Sequence, residues 1–427
     1  MKIEHNSIYS TDLENRLSFD LLRKNVSCEI AIVGGGFTGF SAAISLAEMG
    51  YEVCLFEKEY IGFGCSGRNG GHLVQGWSSD FSKIEKSLSN KYHSVAWEAG
   101  MEAVDIVLSR IKKYKINCDL HMGYIHAALS KRQLNELKIM KDEWEVRGYQ
   151  KLKFLSNNDE ISKEVNTKVY LGGLLDMGSG HLQPMKYLQG LALAAKNLGV
   201  KIFEFTPIIE IKNDRILSLK TNNKFKIKAK NILLCGNAYM ENISSNDMKN
   251  KIAKVSTSVM ATSPLEEKIL KELIPNRVAV ADCNVALDYF RFDKKNRMIF
   301  GGRSSYLNIN PIDVEPVLKK RMLKIFPSLS NIGIEKVWSG TVGITLNRIP
   351  HFGLVDKNIF FVQGYSGHGV ALTALAGKVM AESINNESNR FEILSKIKHF
   401  NFPGGVFRTP VLALGMAWFK IKDWLKI

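Results

Sequence analysis

Gly34, Gly36 and Gly39 stand at GxGxxG spacing, and Glu57 follows them at the end of a second apolar run. Glycines so spaced let backbone N–H groups come close to a pyrophosphate, and an acid about twenty residues on accepts from the hydroxyls of an adenosine ribose. Two more clusters are rich in small residues: Ser66-Gly67-Arg68-Asn69-Gly70-Gly71, which runs into His72, and Gly364-Tyr365-Ser366-Gly367-His368-Gly369. An imidazole beside such a loop can accept a proton near neutral pH. Tyr289 and Arg291 alternate along one predicted strand, so they share a face that is either the roof of a ligand site or a plain sheet surface. His72, Tyr289 and Arg291 are the candidates for substrate chemistry, with Arg303, Arg348, His351 and His368 around them.

The elements that must hold these residues are legible nearby. Ile30 to Val33 is a continuous apolar run, as in a strand buried on both faces. Beyond the glycines, Ala43, Leu46, Ala47 and Gly50 keep helical spacing, so a helix opens at about Phe37. Its N-terminus offers partial positive charge to phosphates. Tyr51 to Phe56 reads as the next strand. Strand, glycines, helix, strand and acid in order over about thirty residues predict a dinucleotide site.

The 427 residues can hold two domains, and 45% hydrophobic with 23% charged residues is ordinary globular composition. The net charge of +16 raises the question of an acidic partner, nucleic acid or an anionic membrane. The lysines are scattered, however, so a solvated surface is the simpler reading and nucleic acid is not expected. The six cysteines form no CxxC pair, so neither a disulfide framework nor a metal site is expected. The polar N-terminus lacks the apolar core of a signal peptide, and no run approaches a membrane span. The expected location is cytoplasmic.

Residues 1–27 read as a polar lead-in. Helical spacing marks Ser79 to Lys115, Gln133 to Arg147 and Pro184 to Leu198, the last with proline in its first turn. Ile216 to Lys230 alternates as a hairpin does, and Ile232 to Leu234 is a short buried strand that ends at Cys235-Gly236. Strand signals dominate from Lys251 to Arg303, which suggests a mostly antiparallel sheet. The predicted fold class is α/β. It combines a Rossmann-like domain with a doubly wound parallel sheet (28–78, 150–240 and 335–390), a substrate domain with a mostly antiparallel sheet (79–149 and 241–334) and a C-terminal helical extension (391–427).

GGGFTG with Glu57, SGRNGG and GYSGHG together resemble FAD-dependent oxidoreductases of the D-amino-acid oxidase family. LDYFR with FGGR, RIPHFG and the C-terminal FPGG…RTP…LGMAWF resemble its gamma-glutamylputrescine oxidoreductase branch. The resemblance implies FAD. Gly34, Gly36, Phe37, Thr38 and Gly39 would lie at the pyrophosphate, and Glu57 with Lys58 at the ribose. Ser66, Gly67, Arg68, Asn69, Gly70 and Gly71 would border the flavin, while Ile208 and Gly236 would serve the adenosine side. Gly364, Ser366, Gly367, His368, Gly369 and Val370 would hold the pyrimidine end. Relatives with covalent flavin carry a cysteine in the segment before the last motif. Ser339 to Arg348 has none, so non-covalent FAD is expected. Ala371 replaces a lysine that pairs with an amino-acid carboxylate in sarcosine-oxidase-like relatives, which favours a substrate amine with no nearby carboxylate.

These features imply oxidation of a primary or secondary amine, such as gamma-glutamylputrescine or a related polyamine derivative. A hydride passes to flavin N5, the imine is hydrolysed, and O2 or another acceptor takes the electrons. A sarcosine- or D-amino-acid-oxidase-like activity stays open. So does a membrane-surface dehydrogenase that delivers electrons to quinone, because Trp418, Phe419, Ile421, Trp424 and Leu425 alternate with lysines over 409–427. A non-catalytic flavoprotein ranks last, and the oligomeric state is open.

Overall fold

The computed structural model describes residues 7–214, 216–240, 243–305 and 314–403, with the side chains of 303–305 left aside. Arg303 as a side chain and the stretch 409–427 therefore lie outside the described residues. A six-stranded sheet runs in the order His351–Asp356, Ile359–Gln363, Asn231–Leu234, Ile30–Val33, Val53–Phe56 and Lys201–Phe203. All its pairings are parallel except the edge pair 351–356 with 359–363. Strand alternation divides its side chains cleanly. Ile30, Ile32, Val53, Leu55 and Leu233 pack with the helices Phe37–Glu48, Pro184–Asn197 and Gly369–Ile384. Ala31, Val33, Cys54, Phe56 and Leu234 face Leu217, Leu219 and Ile227. These last belong to a four-stranded sheet that includes the predicted hairpin 217–221/226–229, so the second face carries strands rather than helices.

A nine-stranded, mostly antiparallel sheet forms the other layer. Its hydrogen-bonded order is 334–344, 253–262, 298–305, 289–292, 279–282, 121–128, 172–181 and 72–73, with 152–155 beside 172–181. Strands 72–73, 152–155, 172–181 and 334–344 thus pair in this sheet, although the sequence pattern places 28–78, 150–240 and 335–390 in the dinucleotide domain. Local pattern alone does not say which sheet a short strand joins. The long helix predicted over 79–115 is divided into Phe81–Glu85 and His93–Lys113.

The lead-in is not a passive tail. Ser7 to Ser10 are buried, and the Ser7 hydroxyl donates to Gly67 O at 3.0 Å. Further along, Arg16 and the backbone of Phe19 and Ile61 converge on the fully buried carboxylate of Glu204. That carboxylate sits just past strand Lys201–Phe203 and ties the lead-in to the segment after Glu57. A buried carboxylate must be paired in this way.

Candidate active site

In the six-stranded sheet, Ile30–Val33 is followed in sequence by Val53–Phe56 on one side, and Asn231–Leu234 returns on the other. The crevice at the carboxyl ends of these strands is the switch point where doubly wound sheets take ligands. Gly34 turns there with φ +114°, and a Cβ would lie 2.9 Å from the backbone of Cys235 and Gly236. Helix Phe37–Glu48 starts three residues on. A cavity of about 950 Å³ opens from this point and runs under the nine-stranded sheet.

Glu57 accepts from Gly35 N at 2.7 Å and Glu59 N at 2.9 Å. Burial pushes its carboxyl up from the usual range, and the two N–H donors oppose that shift. Each oxygen keeps a further lone pair for a ribose hydroxyl. The Ser66 hydroxyl takes the Phe37 N–H at 3.1 Å and has its own proton to give to a phosphate. Asn69 fastens the loop, donating to Cys65 O and Ser66 O and accepting from Gly71 N. The Arg68 carbonyl is held by Trp338 Nε1 at 2.8 Å.

Across the cavity, Asn237 accepts from Gly364 N at 2.9 Å, and the Tyr365 and Thr38 hydroxyls meet at 2.8 Å. These contacts join the last motif to the turn after Asn231–Leu234 and to the first motif. Tyr365, inside the last glycine motif, lines the cavity, and so do Asn237, Tyr124 and Thr257, which escaped the sequence reading because no local motif marks them. Gly367 has φ +102° with nothing within 4 Å of a Cβ, so this turn lies against open space. An extended, helix-capped, carboxylate-ended cleft of this kind fits an adenylated flavin.

Of the predicted cofactor residues, Gly34, Gly36, Phe37, Thr38, Glu57, Lys58, Ser66, Arg68, Asn69, Gly70, Ile208, Gly236, Ser366, Gly367, His368, Gly369 and Val370 line the cavity. Gly39, Gly67, Gly71 and Gly364 are absent from its wall. They are needed for close packing behind it: a Cβ at Gly39 would stand 2.0 Å from Gly34 O.

On the substrate side, His72 lies between the rings of Tyr124 and Tyr289, at 5.6 and 5.2 Å. Burial, and then the positive charge of Arg291, lower its pKa to about 3. Its Nε2 is buried with no hydrogen-bond partner among the described residues, and the neutral ring borders the cavity. The Tyr289 hydroxyl bonds Thr257. Tyr289 and Arg291 do share a face, which lies against Gly70 and Gly71. Only Tyr289 reaches the cavity. Arg291 is 2% exposed behind the loop, where its Nε donates to Gly70 O at 2.6 Å and its Nη2 to the Tyr9 hydroxyl at 3.4 Å. It is a positioning residue. His351 is also outside the wall, packed at 4.6 Å against the ring of His399, whereas Arg348 and His368 are in it.

Glu57→Gln replaces one acceptor by an NH2 that must face the Gly35 or Glu59 N–H. FAD affinity, titrated into apoprotein by fluorescence, is expected to fall about 10- to 100-fold. An unchanged Kd would remove Glu57 from the site.

Residues 29–383 match the family described as FAD dependent oxidoreductase, DAO. The chain is 37% identical over 426 residues to gamma-glutamylputrescine oxidoreductase of Escherichia coli, covering 99% of this chain and 100% of that protein. It is 34% identical to the probable oxidoreductase OrdL of Haemophilus influenzae, with 98% of each covered. L-proline dehydrogenase from P. horikoshii has a similar structure, with TM-score 0.72 and 20% identity over 86% of this chain and 96% of its own. Glycine oxidase from Bacillus cereus gives 0.70 and 18% over 87% and 98%. The chain therefore belongs to the DAO family and is an FAD-dependent oxidoreductase of amine or amino-acid donors.

Proposed function

We propose that this enzyme oxidises a C–N bond of a primary or secondary amine, with gamma-glutamylputrescine or a closely related γ-glutamylated diamine as substrate. The observation that carries the reading is the uncharged wall formed by His72, Tyr124 and Tyr289. Burial holds both tyrosines protonated and His72 neutral. Ala371, fully buried, leaves no lysine after the glycine motif to pair with an α-carboxylate. Such a wall suits a neutral amine. The full-length similarity to gamma-glutamylputrescine oxidoreductase supports the choice of substrate class.

Bound FAD supplies the two-electron oxidant that accepts a hydride from the carbon next to nitrogen. Glu57 and the Phe37–Glu48 N-terminus hold its adenosine and phosphates, and the Gly364–Val370 turn its other end. The His72 imidazole accepts a hydrogen bond from the amine, and the aromatic rings exclude water. We infer that FAD is held non-covalently. Strand Ile334–Ile344 contains no cysteine, and burial pushes the Cys65 thiol in the cavity wall up to about 11, which keeps it a poor nucleophile. The six free cysteines fit a reducing, cytoplasmic setting, and O2 or another acceptor completes the cycle.

Anaerobic mixing of the yellow holoenzyme with γ-glutamylated amines, polyamines, sarcosine and D-amino acids tests the reading, through loss of absorbance near about 450 nm. Bleaching by D-amino acids alone would overturn it. With a productive amine, kred/Kd is expected to rise about tenfold per pH unit below the amine's own pKa of about 10, because only the neutral amine enters. No inflection is expected near about 6.5, the ordinary histidine value, since His72 is already neutral there. A break at that pH in stopped-flow traces would contradict the assignment of His72. No helix long and apolar enough to cross a membrane occurs among the described residues. Electron delivery to a membrane quinone is a second reading, which rests on 409–427 alone.

A further inference from the structure

The lining of the same cavity also carries both signs of charge, in Asp80, Lys83, Arg132 and Glu136, with Asn284 among them, and these form its polar rim. The four charged side chains are 54–80% exposed, and the helix start behind Arg132 and Glu136 is the built part. Helix Lys131–Val146 is capped by Ser130, whose side chain accepts from Gln133 N. Gln133, 5% exposed, then donates to Cys283 O and Asn284 Oδ1, both at 3.2 Å, and accepts from Leu129 N at 2.8 Å. One buried amide thus locks the 283–284 turn to the helix start and sets where Arg132 and Glu136 stand. Arg132 Nη1 donates to Glu136 Oε1 at 2.7 Å, and Lys83 Nζ is 3.4 Å from Asp80 Oδ2. Among five guanidinium donors, that single bond to Glu136 leaves a fork able to take a carboxylate.

Building on the amine-oxidation reading above, we propose that this rim binds the far end of the substrate, an α-amino-acid zwitterion carried on an amide. Its α-carboxylate faces Arg132 and Lys83, and its α-ammonium faces Glu136 and Asp80. The reacting amine at the other end then reaches the wall of His72, Tyr124 and Tyr289. A plain diamine would offer its far ammonium to Glu136 and Asp80 but nothing to Arg132 and Lys83. A far carboxylate alone would meet Arg132 and Lys83 but leave Glu136 and Asp80 without a partner. Only a head with both charges matches both pairs. The rim thereby selects γ-glutamylated over free amines at a distance from the reacting bond.

The test uses FAD-loaded enzyme, anaerobic stopped-flow reduction, and two substrates that differ only at the far end: gamma-glutamylputrescine and N-acetylputrescine. Wild type is expected to favour the former in Kd, and Arg132→Gln to cut that preference about tenfold. The exchange of Arg132→Glu with Glu136→Arg should restore part of it. Equal Kd values in wild type, or a preference untouched by Arg132→Gln, would overturn the proposal. A titration with γ-glutamylmethylamide, which lacks the reacting amine, separates the two readings by its perturbation of the flavin spectrum. If no amine bleaches the flavin, the oxidation reading falls. Binding of this amide to wild type, weakened about tenfold by Arg132→Gln, would still uphold the rim, whereas its failure to bind would sink it.

Discussion

Arg291→Met is expected to give a protein that loses FAD and melts early. The guanidinium holds Gly70 O from behind and reaches the Tyr9 hydroxyl, so it secures the cavity loop and the N-terminal helix Ile8–Thr11 at once. Methionine fills similar space but leaves a carbonyl without its charged donor, which costs about 2–3 kcal/mol. The freed Gly70–Gly71 turn lies directly behind the cavity, so FAD affinity should fall about 100-fold. Arg291→Lys keeps one donor and should recover part of both losses. Calorimetric melting and FAD titration measure them. A variant with normal FAD affinity and stability but lowered kred would instead return Arg291 to the substrate, the role its sequence position first suggested.

The second large effect is acid sensitivity of the holoenzyme. Burial lowers the pKa of His72, His126, His181, His351, His368 and His399, with His72 and His351 at about 3 and His126, His368 and His399 at about 4. In the unfolded chain each takes up its proton near about 6.5. Above that pH both states are neutral and nothing is lost. As pH falls below it, only the unfolded state binds protons, and each histidine costs the fold about 2 kcal/mol by pH ~5. Asp282 works the other way: burial and the charge of Asp288 push it up to about 7. It therefore returns about 2 kcal/mol over the same window. The upward shifts of Glu57, Asp176 and Asp288 add in the same sense. With six histidines against these carboxylates, and with partial hydration of the cavity, the net loss is several kcal/mol. Denaturant midpoints should be flat from about pH 8 to 6.5 and drop steeply by about pH 5. A flat midpoint throughout would mean that these imidazoles are solvated.

How much was legible follows the range of each interaction. The GxGxxG unit was readable because strand, turn, helix and acid are all set within one short stretch, and the helix does begin at Phe37. The hairpin 217–221/226–229 was readable for the same reason. Strand 121–128, by contrast, joins 279–282 and 172–181, and its sequence HMGYIHAA has neither alternation nor a continuous apolar run. The burial of Ile8 and Tyr9 depends on Trp338 and Arg291, hundreds of residues away, so a polar lead-in was the only local reading. Arg291 illustrates the same limit: period-two spacing gave its face correctly, but whether that face met ligand or loop depended on Gly70 and Gly71.

The join between Asn237 and Gly364, and between Thr38 and Tyr365, has a consequence for how the protein is made. The glycine turn that begins the fingerprint is synthesised early, yet one whole side of its cleft comes from residues translated more than 300 positions later. Loop closure over such spans is slow compared with local helix formation. The nascent chain must therefore wait, with its phosphate-binding helix start formed but unwalled, until the segment around Tyr365 has been made. Loading of the flavin is then a closing event of biogenesis rather than an early template for it.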